Sequence, residues 1–185
     1  MDFNYKVLKQ QTFSRGKQSI VPIRMEDRHA IRKWRNEQIF HLRQHKLLSK
    51  EDQDTYFNTV VKSLFSQEQP NQILFSYLED NKCIGYGGLV HINWIDKNAE
   101  ISFLTKTDIK GKAYELQMLN FMYLIEQVAF KELNFHKLFT YAFDVRPEIY
   151  DIIEKSGFNK EATLKEHCFF DNKFIDVIIH SKFKT

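Results

Sequence analysis

Glycine, proline and cysteine are all scarce here: six, three and two copies in 185 residues. So few glycines and prolines leave no flexible linker and no proline-rich segment, and no repeat or low-complexity tract interrupts the chain. Cys83 and Cys168 stand far apart and lack metal spacing, which argues against a disulfide scaffold and for two reduced, buried thiols. No apolar run approaches the roughly 20 residues of a membrane-spanning helix. The N-terminal MDFNYKVLKQQ has no secretory signal pattern. These readings set the expectation of a cytoplasmic protein without membrane insertion. Net charge is only +3, too small and too dispersed to imply a nucleic-acid partner. His41 and His45 fall at i and i+4, but no third ligand accompanies them, so no metal site is expected.

What the chain does have is ring systems, 17 Phe and 8 Tyr, within an ordinary 43% hydrophobic and 28% charged composition. The length fits one domain, residues 1–185, with a substantial core. Hydrophobic periodicity and turn residues divide it into elements. Ser19–Arg24 reads as a first strand, with Ile20, Pro22 and Arg24 on one face and Val21 and Ile23 on the other. A helix from about Met25 carries Ala30, Ile31 and Trp34 at helical spacing. Ser49 is placed to cap a second helix, with Tyr56, Val60, Leu64, Phe57 and Val61 as its apolar face. After the loop 66–72 come strands at Ile73–Leu78, Cys83–Trp94 and about Ala99–Thr105. Gly85, Gly87 and Gly88 in the second of these suggest a bulge or a close backbone approach. Tyr114–Lys131 is the strongest helix, with Leu116, Leu119, Tyr123, Met118, Met122, Ile125 and Ala129 expected inside. Asn134 ends it, His136–Phe143 alternates as a strand, and Pro147 opens a short helix closed by Gly157. A hairpin, about Thr163–Phe170 with Phe174–Phe183, finishes the chain. The resulting fold class is α/β of the α+β kind: a central mixed, mostly antiparallel sheet with helices on both faces.

The stretch Ala99–Glu115, AEISFLTKTDIKGKAYE, concentrates the chemistry. A strand feeds a helix through a lysine-bearing turn, so backbone N–H groups and a helix dipole converge where an anion, and phosphate above all, is stabilised. Glu100 lies at the other end of the same strand. A carboxylate there can take a proton from a reacting amine, directly or through water.

The order AEISFLT, KGKAYE, helix, NFHKLFTYAF, EKSGF resembles the GNAT superfamily of acyl-CoA-dependent N-acetyltransferases. LKEHCFFDNKFIDVIIHSKF is similar to the closing hairpin of the branch that acetylates ribosomal-protein N-termini and nucleotide-activated amino sugars. The similarity runs from about Ser19 to Phe183. The family's loop, Gln or Arg, two residues, Gly, one residue, Gly or Ala, corresponds to Lys110, Gly111, Lys112, Ala113, Tyr114 and Glu115. Ala113 and Glu115 replace its two small residues. The resemblance implies acetyl-CoA as co-substrate, with pyrophosphate on Lys110–Tyr114 and backbone amides of Phe103, Leu104 and Thr105 along the thioester arm. Glu100 is then the expected base. The family places an asparagine and a thiolate-protonating tyrosine on the short helix; those positions hold Arg146 and Ile153. Tyr150, one turn earlier, becomes the candidate acid, and Arg146 a candidate CoA contact. Trp34-Arg35-Asn36 resembles a WRN segment that faces the acceptor, and His91 on the preceding strand joins it. No cysteine lies near these residues, so direct attack is expected rather than an acetyl-cysteine. The implied acceptor is a primary amine, first that of a nucleotide-linked amino sugar and second a protein N-terminus. A non-catalytic CoA-binding or interaction protein is the competing class, and a homodimer is left open.

Overall fold

The computed structural model describes residues 3–185. Eight strands form one sheet in the order β1-β2-β3-β4-β5-β6-β8-β7. They are β1 Phe13–Arg15, β2 Gln18–Pro22, β3 Ile73–Glu79, β4 Lys82–Asn93, β5 Asn98–Thr105, β6 Lys137–Phe143, β7 Asn159–Phe170 and β8 Lys173–Phe183. Every neighbouring pair is antiparallel except β5 with β6. The helices are α1 Arg28–Glu37, α2 Lys50–Tyr56, α3 Lys62–Leu64, α4 Gly111–Glu126 and α5 Glu148–Lys155. A wide turn over Phe57–Val61 joins α2 to α3, and another over Gln127–Glu132 extends α4.

Local chemistry accounts for most boundaries. Ser49 caps α2 through a capping box: its hydroxyl accepts from the Asp52 amide, and the Asp52 carboxylate accepts from the Ser49 amide, both at 3.0 Å. Asn134 adopts a left-handed conformation (φ 56°) and turns the chain out of the long helix. Asp171 and Asn172, at φ 50° and 58°, make the two-residue turn of the last hairpin. A Cβ at Gly87 would lie 2.2 Å from the Ser102 carbonyl oxygen and 2.8 Å from the Phe121 ring, so β4 and β5 approach as closely as they do only because the side chain is missing.

Several expectations need correction. The hairpin β1–β2 has no clear sequence signal before Ser19, since its first strand is only three residues long. Ile20 and Ile23 are both buried, because the strand ends at Pro22 and the chain then turns. On the second helix Tyr56 and Val60 are exposed, and Gln53, Phe57, Val61 and Leu64 form the inner stripe at helical spacing. On α4, Leu116 and Tyr123 are exposed while Gln117, Asn120 and Phe121 are buried. The Gln117 side chain is held by the Tyr77 hydroxyl at 2.6 Å, which satisfies a polar group on the inner face.

The sheet separates two layers. Tyr86 on β4 meets Arg35 of α1, whereas Phe103 on β5 stacks on Phe121 of α4 with ring centroids 4.3 Å apart. α1 and α2 therefore cover one face, and α4 and α5 the other.

Candidate active site

The parallel pair β5–β6 is short. Asn98, Ala99 and Glu100 pair with Lys137, Leu138 and Phe139, and no pairing continues beyond them although both strands do. A wedge thus opens in the middle of the sheet immediately after Glu100. The phase of the other ladder shows which amides face it. Lys106 N–H donates to the Ile84 carbonyl at 2.8 Å, so by the alternation of an antiparallel pair the backbone groups of Ile101, Phe103 and Thr105 point away from β4 and toward the wedge.

A cavity of about 760 Å³ runs through this opening from one layer to the other. On the α4–α5 side its wall includes Phe103, Tyr114, Met118, Met122, Ile149 and Ile153. On the α1–α2 side it includes Arg35, Arg43, Tyr86, His91, Glu100 and Tyr141. One half is a largely apolar slot and the other is charged, with Glu100 at the junction.

Glu100 is buried. Its Oε1 accepts a hydrogen bond from Arg43 Nη2, and its Oε2 lies 3.7 Å from His91 Nε2. Burial raises the carboxyl pKa above the ordinary range, and Arg43 and His91 oppose that rise. His91 reaches this position through a bulge: it sits at φ 48°, where the β4–β5 register shifts between Val90 and Asn93. The Tyr141 hydroxyl is 3.4 Å from Cys168 Sγ, and its pKa is pushed up to about 12, mainly by burial and next by that neighbour. It stays protonated at neutral pH.

At the other end, α4 begins with Gly111 at φ +57°, a conformation that glycine adopts without strain. No side chain caps this helix, and its first turn holds no intrahelical acceptor for the amides of Gly111, Lys112 and Ala113. Those three residues are exposed, as is Lys110, and Tyr114 is the part of the loop that lines the cavity. Ala113 has no positive φ and so costs nothing in this geometry. Glu115 is turned aside: its Oε1 accepts from Lys155 Nζ of α5 at 2.7 Å. The cluster of uncapped amides, with a Gly111 open to solvent, fits a pyrophosphate.

The other sequence candidates divide. Arg35 lines the cavity, held by the Tyr86 hydroxyl at 2.5 Å and Gln44 Oε1 at 2.9 Å. Trp34 does not; it is packed in the core. Asn36 faces the loop before α2, exchanging 2.9 Å hydrogen bonds with the backbone of Leu48. Leu104 is buried, and its amide faces Tyr86 on β4, away from the wedge. Thr105 lies beyond the cavity wall, its carbonyl accepting from Gln38 Nε2 at 2.8 Å. Tyr150 is the clearest correction. Its hydroxyl donates to Asp144 at 2.9 Å and its ring lies against His180, while Ile149 and Ile153 on the same helix face the cavity. Arg146 lines the cavity and pairs with no acceptor among the described residues. Beside it burial, and next this guanidinium, hold His41 down at about 3.

The sequence reading missed Arg43, Tyr86 and Tyr141. Arg43 comes from an irregular loop with no periodic signal, and Tyr86 shares a strand with three glycines that drew the reading to the backbone. Tyr141 stands two residues beyond Phe139, so the parallel register carries it past Glu100. Its alternation within β6 was visible, but its neighbour was not.

The acetyltransferase (GNAT) domain model matches residues 20–179. The chain belongs to the GNAT acetyltransferase family, whose members use acetyl-CoA. It is 28% identical over 104 residues to the spermidine N(1)-acetyltransferase of Vibrio cholerae serotype O1. That match takes in 54% of this chain and 58% of the relative, so the chain spans little more than half the length of the curated relative it matches. Among solved structures it is similar to the V. cholerae spermidine N-acetyltransferase in complex with CoA and spermine, with a TM-score of 0.77 at 18% identity over 91% of this chain and 96% of that one. A dodecameric structure of the same V. cholerae enzyme gives a TM-score of 0.71 at 18% identity, covering 91% and 94%. At such identity the likeness carries the fold. No helix among the described residues is long and apolar enough to cross a membrane.

Proposed function

We propose that the chain transfers an acetyl group from acetyl-CoA to a primary amine on an anionic carrier, with a nucleotide-linked amino sugar as the first candidate. The observation that carries this reading is the cavity through the β5–β6 wedge, with a buried carboxylate at the point where its apolar and charged halves meet.

Acetyl-CoA supplies the activated acyl group, and the chain's residues supply position, polarity and a proton acceptor. Its pyrophosphate falls to the amides of Gly111–Ala113, and Arg146 stands free for a further anionic group. The Phe103 amide, facing the wedge, is oriented to polarise a carbonyl lying along the strand edge. Glu100 takes the proton that the acceptor nitrogen loses on attack, and its raised pKa makes it a better base than an exposed carboxylate. No phenol stands at the Ile153 position, and the family's acid step falls to water. A thiol with a reference pKa of about 8.5 leaves without full protonation.

The charges support an anionic acceptor over a polyamine. Among the described residues three guanidiniums (Arg35, Arg43 and Arg146) line the cavity against two carboxylates, Asp52 and Glu100. Asp52 is engaged in the Ser49 cap and Glu100 with Arg43. A polycation needs surplus carboxylate, and this lining has none to spare. The polyamine reading draws its support from the spermidine-acetylating relative. A cytoplasmic setting suits the free thiols of Cys83 and Cys168. Thiol release from acetyl-CoA, measured with a nucleotide-linked amino sugar and with spermidine, tests the proposal. Higher kcat/KM with the sugar is expected; a clear preference for spermidine would replace this acceptor class.

A further inference from the structure

Arg43 does not sit beside the candidate base but on it. Its Nη2 holds Glu100 Oε1, and the guanidinium carbon lies 4.5 Å from the centre of the Tyr141 ring. The other two guanidiniums of the cavity behave differently. Arg35 is tied to neutral partners, Gln44 and Tyr86, and Arg146 pairs with no acceptor among the described residues. Only Arg43 spends its charge on the carboxylate that proton removal requires.

Among the described residues three charged or titratable groups face Glu100: Arg43 from the loop between α1 and α2, His91 from β4 and Tyr141 from β6. His91 and Tyr141 are fixed on strands. Arg43 follows the short turn Ile39–His41 on an irregular segment, and its side chain is 43% exposed where that of Glu100 is 6% exposed. Its side chain can leave without disturbing the sheet; that of His91 is 64% exposed but stands 3.7 Å from the carboxylate and does not cover it as Arg43 does. While it stays, one carboxylate oxygen is covered from the acceptor side, and a positive charge stands where an ammonium must arrive.

We propose that Arg43 is a displaceable clamp on Glu100, released when an anionic group of the acceptor draws the guanidinium across the Tyr141 ring. The acceptor's amine then takes the vacated carboxylate oxygen, and the acceptor's anion takes the guanidinium. This makes Arg43 the residue that selects anion-bearing amines, and it rests on the acceptor class proposed above. A planar guanidinium suits the exchange because it pairs with carboxylate or phosphate in the same forked geometry while lying on a ring face.

The test uses glucosamine and its 6-phosphate, the same amine without and with an anion. The wild type is expected to favour the phosphate ester in kcat/KM. Arg43→Gln, which keeps donor N–H groups and removes the charge, should lower that preference at least tenfold, and Arg43→Lys should retain part of it. A preference unchanged in Arg43→Gln, or absent in the wild type while both amines react, overturns the clamp. A second measurement does not depend on turnover. Carbon NMR of ¹³C-labelled glutamate carboxyls follows the Glu100 titration as inorganic phosphate is added. Phosphate should move that titration to higher pH in the wild type and much less in Arg43→Gln. A Glu100 titration blind to phosphate overturns the clamp whatever the enzyme acetylates. If phosphate moves Glu100 but neither these amines nor a nucleotide-linked amino sugar is acetylated, the acceptor class fails and the clamp stands.

Discussion

Lys155 on α5 donates to Glu115 on α4 at 2.7 Å and so turns a carboxylate aside from the uncapped helix start. Glu115 stands where the resembled phosphate loop has a small residue, and left alone it would repel a bound pyrophosphate. The pair is exposed, and its stability contribution is small. Its consequence is for binding. Lys155→Ala should weaken CoA binding several-fold at low salt, and adding Glu115→Gln in the same chain should restore it. Titration calorimetry at two ionic strengths checks this, because screening shrinks the loss. A Lys155→Ala protein that binds CoA like the wild type would mean that Glu115 never faces the phosphates.

The base is tested at the level of rate. Glu100→Gln keeps the shape and a hydrogen-bonding oxygen but removes the basicity, so turnover should fall by about 10²–10⁴ at neutral pH. CoA binding, read separately, should barely change, since Glu100 faces the charged half of the cavity. Turnover equal to the wild type would assign proton removal to solvent or to another group.

The same substitution has a stability signature of definite sign. Burial raises the Glu100 carboxyl pKa above its unfolded value, more than Arg43 and His91 lower it. The folded state then holds more protons than the unfolded one between the two pKa values, and stability falls as pH rises through that window. Glu100→Gln should therefore melt higher than the wild type at pH 7–8, by at most a few degrees, with the difference closing as pH falls toward 4. Thermal melts across that range decide it. A variant that melts lower at pH 8 would mean that the Arg43 contact outweighs the burial.

How much of this was legible in sequence follows from the range of the interactions. Glu100, the lysine-bearing turn before the long helix and the cap at Ser49 are local, written in spacing and turn chemistry within a few residues, although that helix starts at Gly111, a turn earlier than the expected Tyr114. Arg35 was found through a three-residue segment, but that segment could not say that Trp34 turns to the core and Asn36 to Leu48. The wedge itself is a property of two strands some 40 residues apart in sequence, and neither strand alone shows where pairing stops. Arg43 and Tyr141 belong to the site only through that register. Helix phase failed for a local reason. The buried stripe Gln53, Phe57, Val61 and Leu64 keeps helical spacing, but its first member is polar, and the apolar Tyr56 and Val60 beside it drew the expected face one position off.

The final prediction concerns the short helix, where Ile153 holds the place at which the family resemblance implies a tyrosine. Tyr150 cannot take over that role where it stands. Its hydroxyl is committed to Asp144, and its ring lies 5.3 Å from that of His180, while Ile149 and Ile153 present the cavity face. Burial and the Asp144 contact both push its phenol pKa up, which further lowers its power as an acid. Tyr150→Phe should therefore slow acetyl transfer far less than Glu100→Gln does, with its effect confined to a modest loss of stability. Ile153→Tyr is the informative variant. Ile153 is buried at the wall of the large cavity, so an added ring has space on one side and packing on the other. Overpacking costs about 1–3 kcal/mol where the ring meets the core, and a phenol in the apolar half would offer a proton to the leaving sulfur. Steady-state rates with melting temperatures for the three variants separate these effects. The expected order of turnover is Ile153→Tyr at or above the wild type, Tyr150→Phe slightly below it, and Glu100→Gln far lower. Loss of turnover in Tyr150→Phe with folding and CoA binding intact would show that α5 repositions its tyrosine when the cavity is filled.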